Sequence, residues 1–428
     1  MDHADGIAQS FAKSRRDLLE AGLRLRIAQA LMNAVPRLRN YQGPVLLSYG
    51  FRPFFLFGAI YAGLAVLAWL PMFNGELELW TAFTPIDWHV HEMLYGYLPA
   101  VVTGFLLTAI PNWTGRLPIQ GMPLLTLVMV WIVGRVAVAV SGEIGWLPAA
   151  IVDAAFLTLV VAATGREIVA GGNWRNLRVI GLVTLLLVGN VAFHVEAHVQ
   201  GSAQYGVRIG IAATVLLIVL IGGRIIPSFT RNWLVRENPG RLPVPFARFD
   251  VVVIVFSAVT VALWTVQPFG RLTATLLAIA AALNIVRMAR WAGDRTWRDR
   301  LVLILHVGYA FVPLGFLLAS AAALSIVLAD AGIHAWTVGA AGVMTLAVMT
   351  RASLGHTGNA LKASALTQAI YAAIVVAALA RICSSLEPAW SELLLDVTAI
   401  TWCIAFFGFA GSFGPLLSGK QRRTNSAE

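Results

Sequence analysis

Long apolar runs separated by short polar stretches recur along the chain after roughly its first forty-five residues. A helix needs about 20 mainly apolar residues to cross a bilayer. Twelve stretches meet that length: roughly 48–71, 88–111, 121–141, 146–166, 175–199, 205–226, 247–266, 270–292, 300–329, 334–352, 362–383 and 390–417. The pattern predicts an all-α, polytopic integral membrane protein with twelve transmembrane helices in one bundle over 46–418. A segment at 1–45 precedes the bundle and a tail at 419–428 follows it.

The polar breaks set the orientation, because short cytoplasmic loops collect Lys and Arg. Arg224, Arg231, Arg236, Arg241 and Arg248 crowd one loop, and Arg287, Arg290, Arg295, Arg298 and Arg300 another. Lys420, Arg422 and Arg423 mark the tail, whereas 72–87, 142–145, 199–205 and 329–334 hold no basic residue. Twelve spans with both termini cytoplasmic fit this alternation. The first forty residues differ. Phe11, Leu18, Leu25 and Met32 recur every seven positions among Arg15, Arg16, Arg24 and Arg26. That pattern describes either an amphipathic helix on the anionic inner leaflet or a solvated cytoplasmic helix.

A faint repeat runs through the spans. "IPNWT" (110–114) closes the second, "IPSFT" (226–230) closes the sixth, and "GHTG" (355–358) follows the tenth. Either three four-helix units or a shared helix-stop chemistry explains it.

Composition agrees with the membrane reading. The chain is 58% hydrophobic and 12% charged, against about 25% charged in a soluble domain. Its excess of 31 Lys+Arg over 21 Asp+Glu sits in loops and does not point to nucleic acid. Cys383 and Cys403 are too few for a disulfide framework and read as packing residues. No short apolar region with a cleavage site follows the basic N-terminus, which argues against a cleaved signal peptide.

Ionisable residues within spans are expensive and usually functional, and imidazole is a favoured ligand for haem iron and copper. His89, His91, His194, His198 and His334 fall toward the outer side; His306 and His356 fall toward the cytoplasm. "FHVEAHV" places His194 and His198 four apart on one helical face, either holding one metal ion or facing an outer vestibule. His89 and His91 point nearly opposite ways on a helix, so His91 is the better ligand candidate, with His89 beside Trp88 in support. Glu92 either orients a ligand and relays protons or is a solvated interfacial acid. His306, with Tyr309 on the same face, reads as an axial ligand or a hydrogen-bonded core histidine. Arg224 and Arg351, near His356 in depth, either form a pair for haem propionates or simply obey the loop-charge rule. No CxxCH motif or thiol metal site is present, so a haem would be held non-covalently, as haem b.

"FRPFFLFGAIYA", "WHVHEMLYGY", "GFLLTAIPNWTG", "GGRIIPSFTRN", "HVGYAFVPLGF" and "HAWTVGAAGVMTLAVMTRASLGHTG" together resemble the NnrS family of bacterial membrane proteins. The resemblance implies a haem- and copper-containing protein of the inner membrane that removes nitric oxide or protects iron centres from it. His91, Glu92, Arg224, His306, His334, Arg351 and His356 lie in the matching motifs; His198 and Cys383 do not. The expected activity is nitric oxide binding and reduction to nitrous oxide, with Glu92 and neighbouring histidines supplying protons. The lipid bilayer would concentrate the gas, and an unidentified electron donor would be required. The alternatives are a non-catalytic nitric oxide scavenger or sensor, and a secondary transporter. A four-span repeat speaks against the paired six-helix halves of the last.

Overall fold

The computed structural model describes residues 41–419. The amphipathic helix expected in the first forty residues and the basic tail lie outside the described residues. Among the described residues, twelve helices are long and apolar enough to cross a membrane. In chain order they are α1 (Phe51–Phe73), α2 (Pro85–Thr114), α3 (Met122–Ala139), α4 (Trp146–Ala170), α5 (Trp174–Gln200) and α6 (Tyr205–Glu237). The second half comprises α7 (Arg248–Val266), α8 (Arg271–Ala289), α9 (Arg300–Ala323), α10 (Ala329–His356), α11 (Ala365–Leu386) and α12 (Pro388–Ser418).

Buried share separates core helices from lipid-facing ones. Within their most apolar windows α2, α10, α6 and α9 are 78, 72, 67 and 67% buried, whereas α4, α7 and α12 are 33% buried. Of the buried set, α2, α6 and α10 touch one another at the centre, and α12 packs on α1. Side chains such as Leu64, Leu67, Met129, Val133 and Ile151 stay exposed, as expected where lipid rather than water is the solvent.

The same three central helices each contain a π-helical turn, at Glu92–Tyr97, Ile218–Gly222 and Ala335–Gly342. Each is four spans from the next, the spacing of the sequence repeat. In α2 the cause is local: Pro99 has no N–H to give the carbonyl one turn earlier, and widening the preceding turn relieves the mismatch.

Two expected boundaries move. "IPSFT" does not stop the sixth helix, because α6 continues through Pro227 to Glu237; one proline removes one backbone bond, and Arg231, Leu234, Arg236 and Glu237 beyond it are good helix formers. The ninth span ends at Ala323, not near 329, where Ser325 adopts a left-handed turn at φ 60°. "IPNWTG" does end α2, with Gly115 as its left-handed cap at φ 68°. Both cysteines are free; Cys403 is half-buried on the Gly63 carbonyl, whereas Cys383 is exposed and does not pack as expected.

Candidate functional site

Loops lacking Lys and Arg join α1 to α2, α3 to α4 and α5 to α6 at one end of the bundle. One to three turns inside that end, α1 to α5 converge on a buried polar cluster. The α2 helix starts at Pro85, with the Thr84 hydroxyl accepting from the Asp87 N–H at 3.1 Å. His89 and His91 are therefore both helical and face different sides.

His91 enters the cluster and is fully buried beside Glu92. Its Nδ1 lies 2.8 Å from Glu92 Oε1. Arg135 of α3 donates through Nη1 to both Glu92 oxygens at 2.8 Å and through Nη2 to Asp153 of α4. Tyr61 of α1 adds a hydroxyl to Glu92. From α5, Asn190 Nδ2 donates to Asp153 Oδ2 at 2.8 Å and His194 Nε2 lies 3.1 Å from the same oxygen. Phe83, Tyr95 and Phe193 pack their rings against His91 and shut out water.

Gly96 permits this convergence, since a Cβ there would meet Arg135 Nη1 at 2.7 Å and Glu92 Oε2 at 2.8 Å.

The donor pattern defines what the cluster can hold. With the Nδ1 proton given to Glu92, His91 Nε2 is left facing Asn190 Oδ1 at 3.0 Å and Asp153 Oδ2 at 3.2 Å. A bare nitrogen lone pair against two oxygens is repulsive, so the space between them suits a cation: a second proton on the ring or a metal ion. Charge agrees, because two carboxylates face one guanidinium, leaving one negative charge in excess in a low-dielectric setting where uncompensated charge is costly. His91, Asp153 and His194 offer ligand atoms all within 4.8 Å of one another. A tetrahedral ion with bonds of about 2.0–2.1 Å has donor–donor edges of about 3.3 Å, close to the 3.1 and 3.2 Å from Asp153 to the two imidazoles. Imidazole and carboxylate together suit copper, zinc or iron. The residues fit a metal ion.

His89 turns the other way. It stacks on Trp69 of α1, centroids 4.1 Å apart, and lines a cavity of about 860 Å³ between α1, α2, α6, α10, α11 and α12. His334 and Arg381 line the same cavity.

Several expected groupings do not form. His194 and His198 share no site: His194 is buried on Asp153, whereas His198, in the last turn of α5, is exposed and stacks on Trp146 at 4.3 Å. His334 does not join His91 and His194, because its helix faces the cavity. Arg224 donates to Asn176 Oδ1 at 2.9 Å, and Arg351 lies over the Phe229 ring at 4.1 Å. His356 is exposed against Tyr49 and Phe51. His306 bonds Thr230 at 2.8 Å, while Tyr309 belongs to a different network. There Arg287 of α8 donates through Nε to Asp250 of α7 at 3.1 Å and through Nη1 to the Val219 carbonyl in the π turn of α6 at 2.9 Å. Tyr309 gives its hydroxyl to Asn284 at 2.7 Å.

Arg135, Asp153, Asn190 and Tyr61 are absent from the sequence-derived candidates. For two of them a signal existed: "VGRVAVA" and "IVDAAF" each set one charge in an apolar run.

The model of the family described as NnrS protein matches residues 45–421, most of the chain, and the chain belongs to that family. No curated protein matches the sequence.

Proposed function

We propose that this NnrS-family membrane protein binds nitric oxide at a transition-metal centre held by His91, Asp153 and His194, and reduces it to nitrous oxide. The observation that carries the reading is the convergence of His91, Asp153 and His194 ligand atoms within 4.8 Å of one another, with His91 Nε2 against Asn190 and Asp153 oxygens beside one excess negative charge. Such an ion, copper being the expectation from the family resemblance, would supply an open coordination position and an electron.

The chain's residues do the rest. Reduction of two nitric oxide molecules takes two electrons and two protons, releasing nitrous oxide and water. His91 Nδ1 and Glu92 Oε1 lie 2.8 Å apart, so the imidazole–carboxylate pair keeps a transferable proton beside the centre. Arg135 bridges Glu92 and Asp153 and holds both carboxylates in register while the proton moves. Aromatic walls exclude water, and nitric oxide, small and neutral, arrives through lipid without a polar channel. Electrons come from a separate donor. The alternation of basic loops supports an inner-membrane orientation with both termini cytoplasmic and the cluster toward the outer face.

The test is purified protein under an anaerobic reductant with nitric oxide, scoring nitrous oxide by gas chromatography. Wild type is expected to form it, and His91→Ala and His194→Ala are not. Nitric oxide binding without nitrous oxide would reduce the protein to a scavenger or sensor. Equal activity in wild type and both variants would overturn the centre.

A further inference from the structure

We infer that Phe83 is the gate of the cluster formed by His91, Asp153 and His194, passing small neutral molecules from the outer side and holding back hydrated ions and chelators. This rests on the reading of that cluster as a metal centre that binds nitric oxide, and it names the residue that decides what reaches it.

Three observations carry it. First, Phe83 touches both the site and the surface. Its ring centroid lies 5.1 Å from that of His91, 5.3 Å from that of His194 and 5.4 Å from that of Phe193. Both imidazoles are buried, yet Phe83 is only half-buried, so one apolar ring stands between two of the three ligand residues and the outside. Tyr95 and Phe193 also pack on His91, but they are fully buried on α2 and α5 and form fixed wall.

Second, Phe83 is not helical. It belongs to the segment 74–84 that joins α1 to α2, and such a segment can lift without unwinding a transmembrane helix. Third, a few bonds strap that segment to the turn between α3 and α4. The Ala82 N–H donates to the Ser141 hydroxyl at 2.8 Å, the Thr81 and Ser141 hydroxyls lie 3.2 Å apart, and the Gly142 N–H donates to the Trp80 carbonyl at 2.8 Å. The fit is close, because a Cβ on Gly142 would meet the Trp80 oxygen at 2.9 Å.

A phenyl ring returns no hydrogen bond to a solute that sheds water against it, so a hydrated ion or a polyanionic chelator is stopped. A neutral diatomic gas has little hydration to lose and needs only a small displacement of the ring. An ion already inside leaves only when the strap lifts.

The experiment uses full-length protein purified in detergent from metal-supplemented cells and mixed with excess EDTA, the metal left on the desalted protein being followed by mass spectrometry. Wild type is expected to release its ion at a rate that does not rise with EDTA concentration, because opening is limiting. Phe83→Ala should release it at least about tenfold faster, having lost the ring contacts that hold the segment closed, and Phe83→Trp no faster than wild type. Ser141→Ala and Gly142→Ala, which loosen the strap without altering a ring or a ligand, should speed release too and carry the test should Phe83→Ala not fold. The rate of nitric oxide binding, read by stopped-flow absorption, should rise less in Phe83→Ala than metal release does; an equal rise would overturn the selectivity. Wild-type release from metal-loaded Phe83→Ala and Ser141→Ala would overturn the gate and leave the centre standing, as would wild-type release that climbs in proportion to EDTA. Wild-type protein without metal would overturn the centre itself, and the gate with it.

Discussion

Two buried arginines organise this membrane protein, and they do opposite things. Arg287 has its carboxylate: its guanidinium meets Asp250, which Arg290 also approaches at 3.7 Å, together with a backbone carbonyl and the Tyr309 hydroxyl, and Tyr309 in turn bonds Asn284, so no negative charge is in excess. No imidazole enters that hydrogen-bonded set. Arg135 is outnumbered, facing Glu92 and Asp153 at once with His91 and His194 against the same carboxylates. A membrane interior tolerates charge only when it is paired. The balanced arginine therefore reads as a structural pin on the π turn of α6, and the outnumbered one as the frame of a site that wants another cation.

The largest expected effect is on the balanced side. Arg287→Leu leaves Asp250 buried without its main partner and should cost about 3–5 kcal/mol, read as a fall in thermal unfolding temperature in detergent. Asp250→Asn/Arg287→Leu should recover most of that loss. Gly96→Ala comes next, because its methyl group must push Arg135 or Glu92 aside; about 1–3 kcal/mol of overpacking should accompany loss of bound metal.

Opposite signs separate the two networks most sharply. In metal-free protein, Asp153→Asn removes the surplus carboxylate and should leave stability near or above wild type, while metal affinity falls. Asp250→Asn, which leaves Arg287 uncompensated, should lower stability without changing metal content. If both substitutions destabilise equally, the distinction between the networks fails. The smallest effect belongs to His198→Ala, expected within about 0.5 kcal/mol and neutral for metal, since that ring sits exposed on Trp146.

Hydropathy alone delivered all twelve spans, because a bilayer demands length and apolarity that few other elements have. The site was only partly legible. His91 and Glu92 stood out, and helix geometry separated His89 from His91 correctly, since Thr84 and Pro85 start the helix before either. The spacing of His194 and His198 misled, because a four-residue interval guarantees a shared face but not a shared depth or burial. His198 falls where α5 leaves the bundle. Which charges meet was not readable: Arg135, Asp153 and Asn190 come together only through the packing of α2 to α5, and the π turn at Glu92–Tyr97 alters the facing of everything beyond His91.

The central claim is that His91, Asp153 and His194 hold a metal ion, and metal stoichiometry by mass spectrometry tests it most directly. Wild type and His91→Ala/His194→Ala would be compared, with haem iron counted in the same samples. The account predicts one transition-metal ion per wild-type chain, any haem iron excluded, and its loss from the double variant. Equal non-haem metal in the two proteins, or none in wild type purified from metal-supplemented cells, would contradict it.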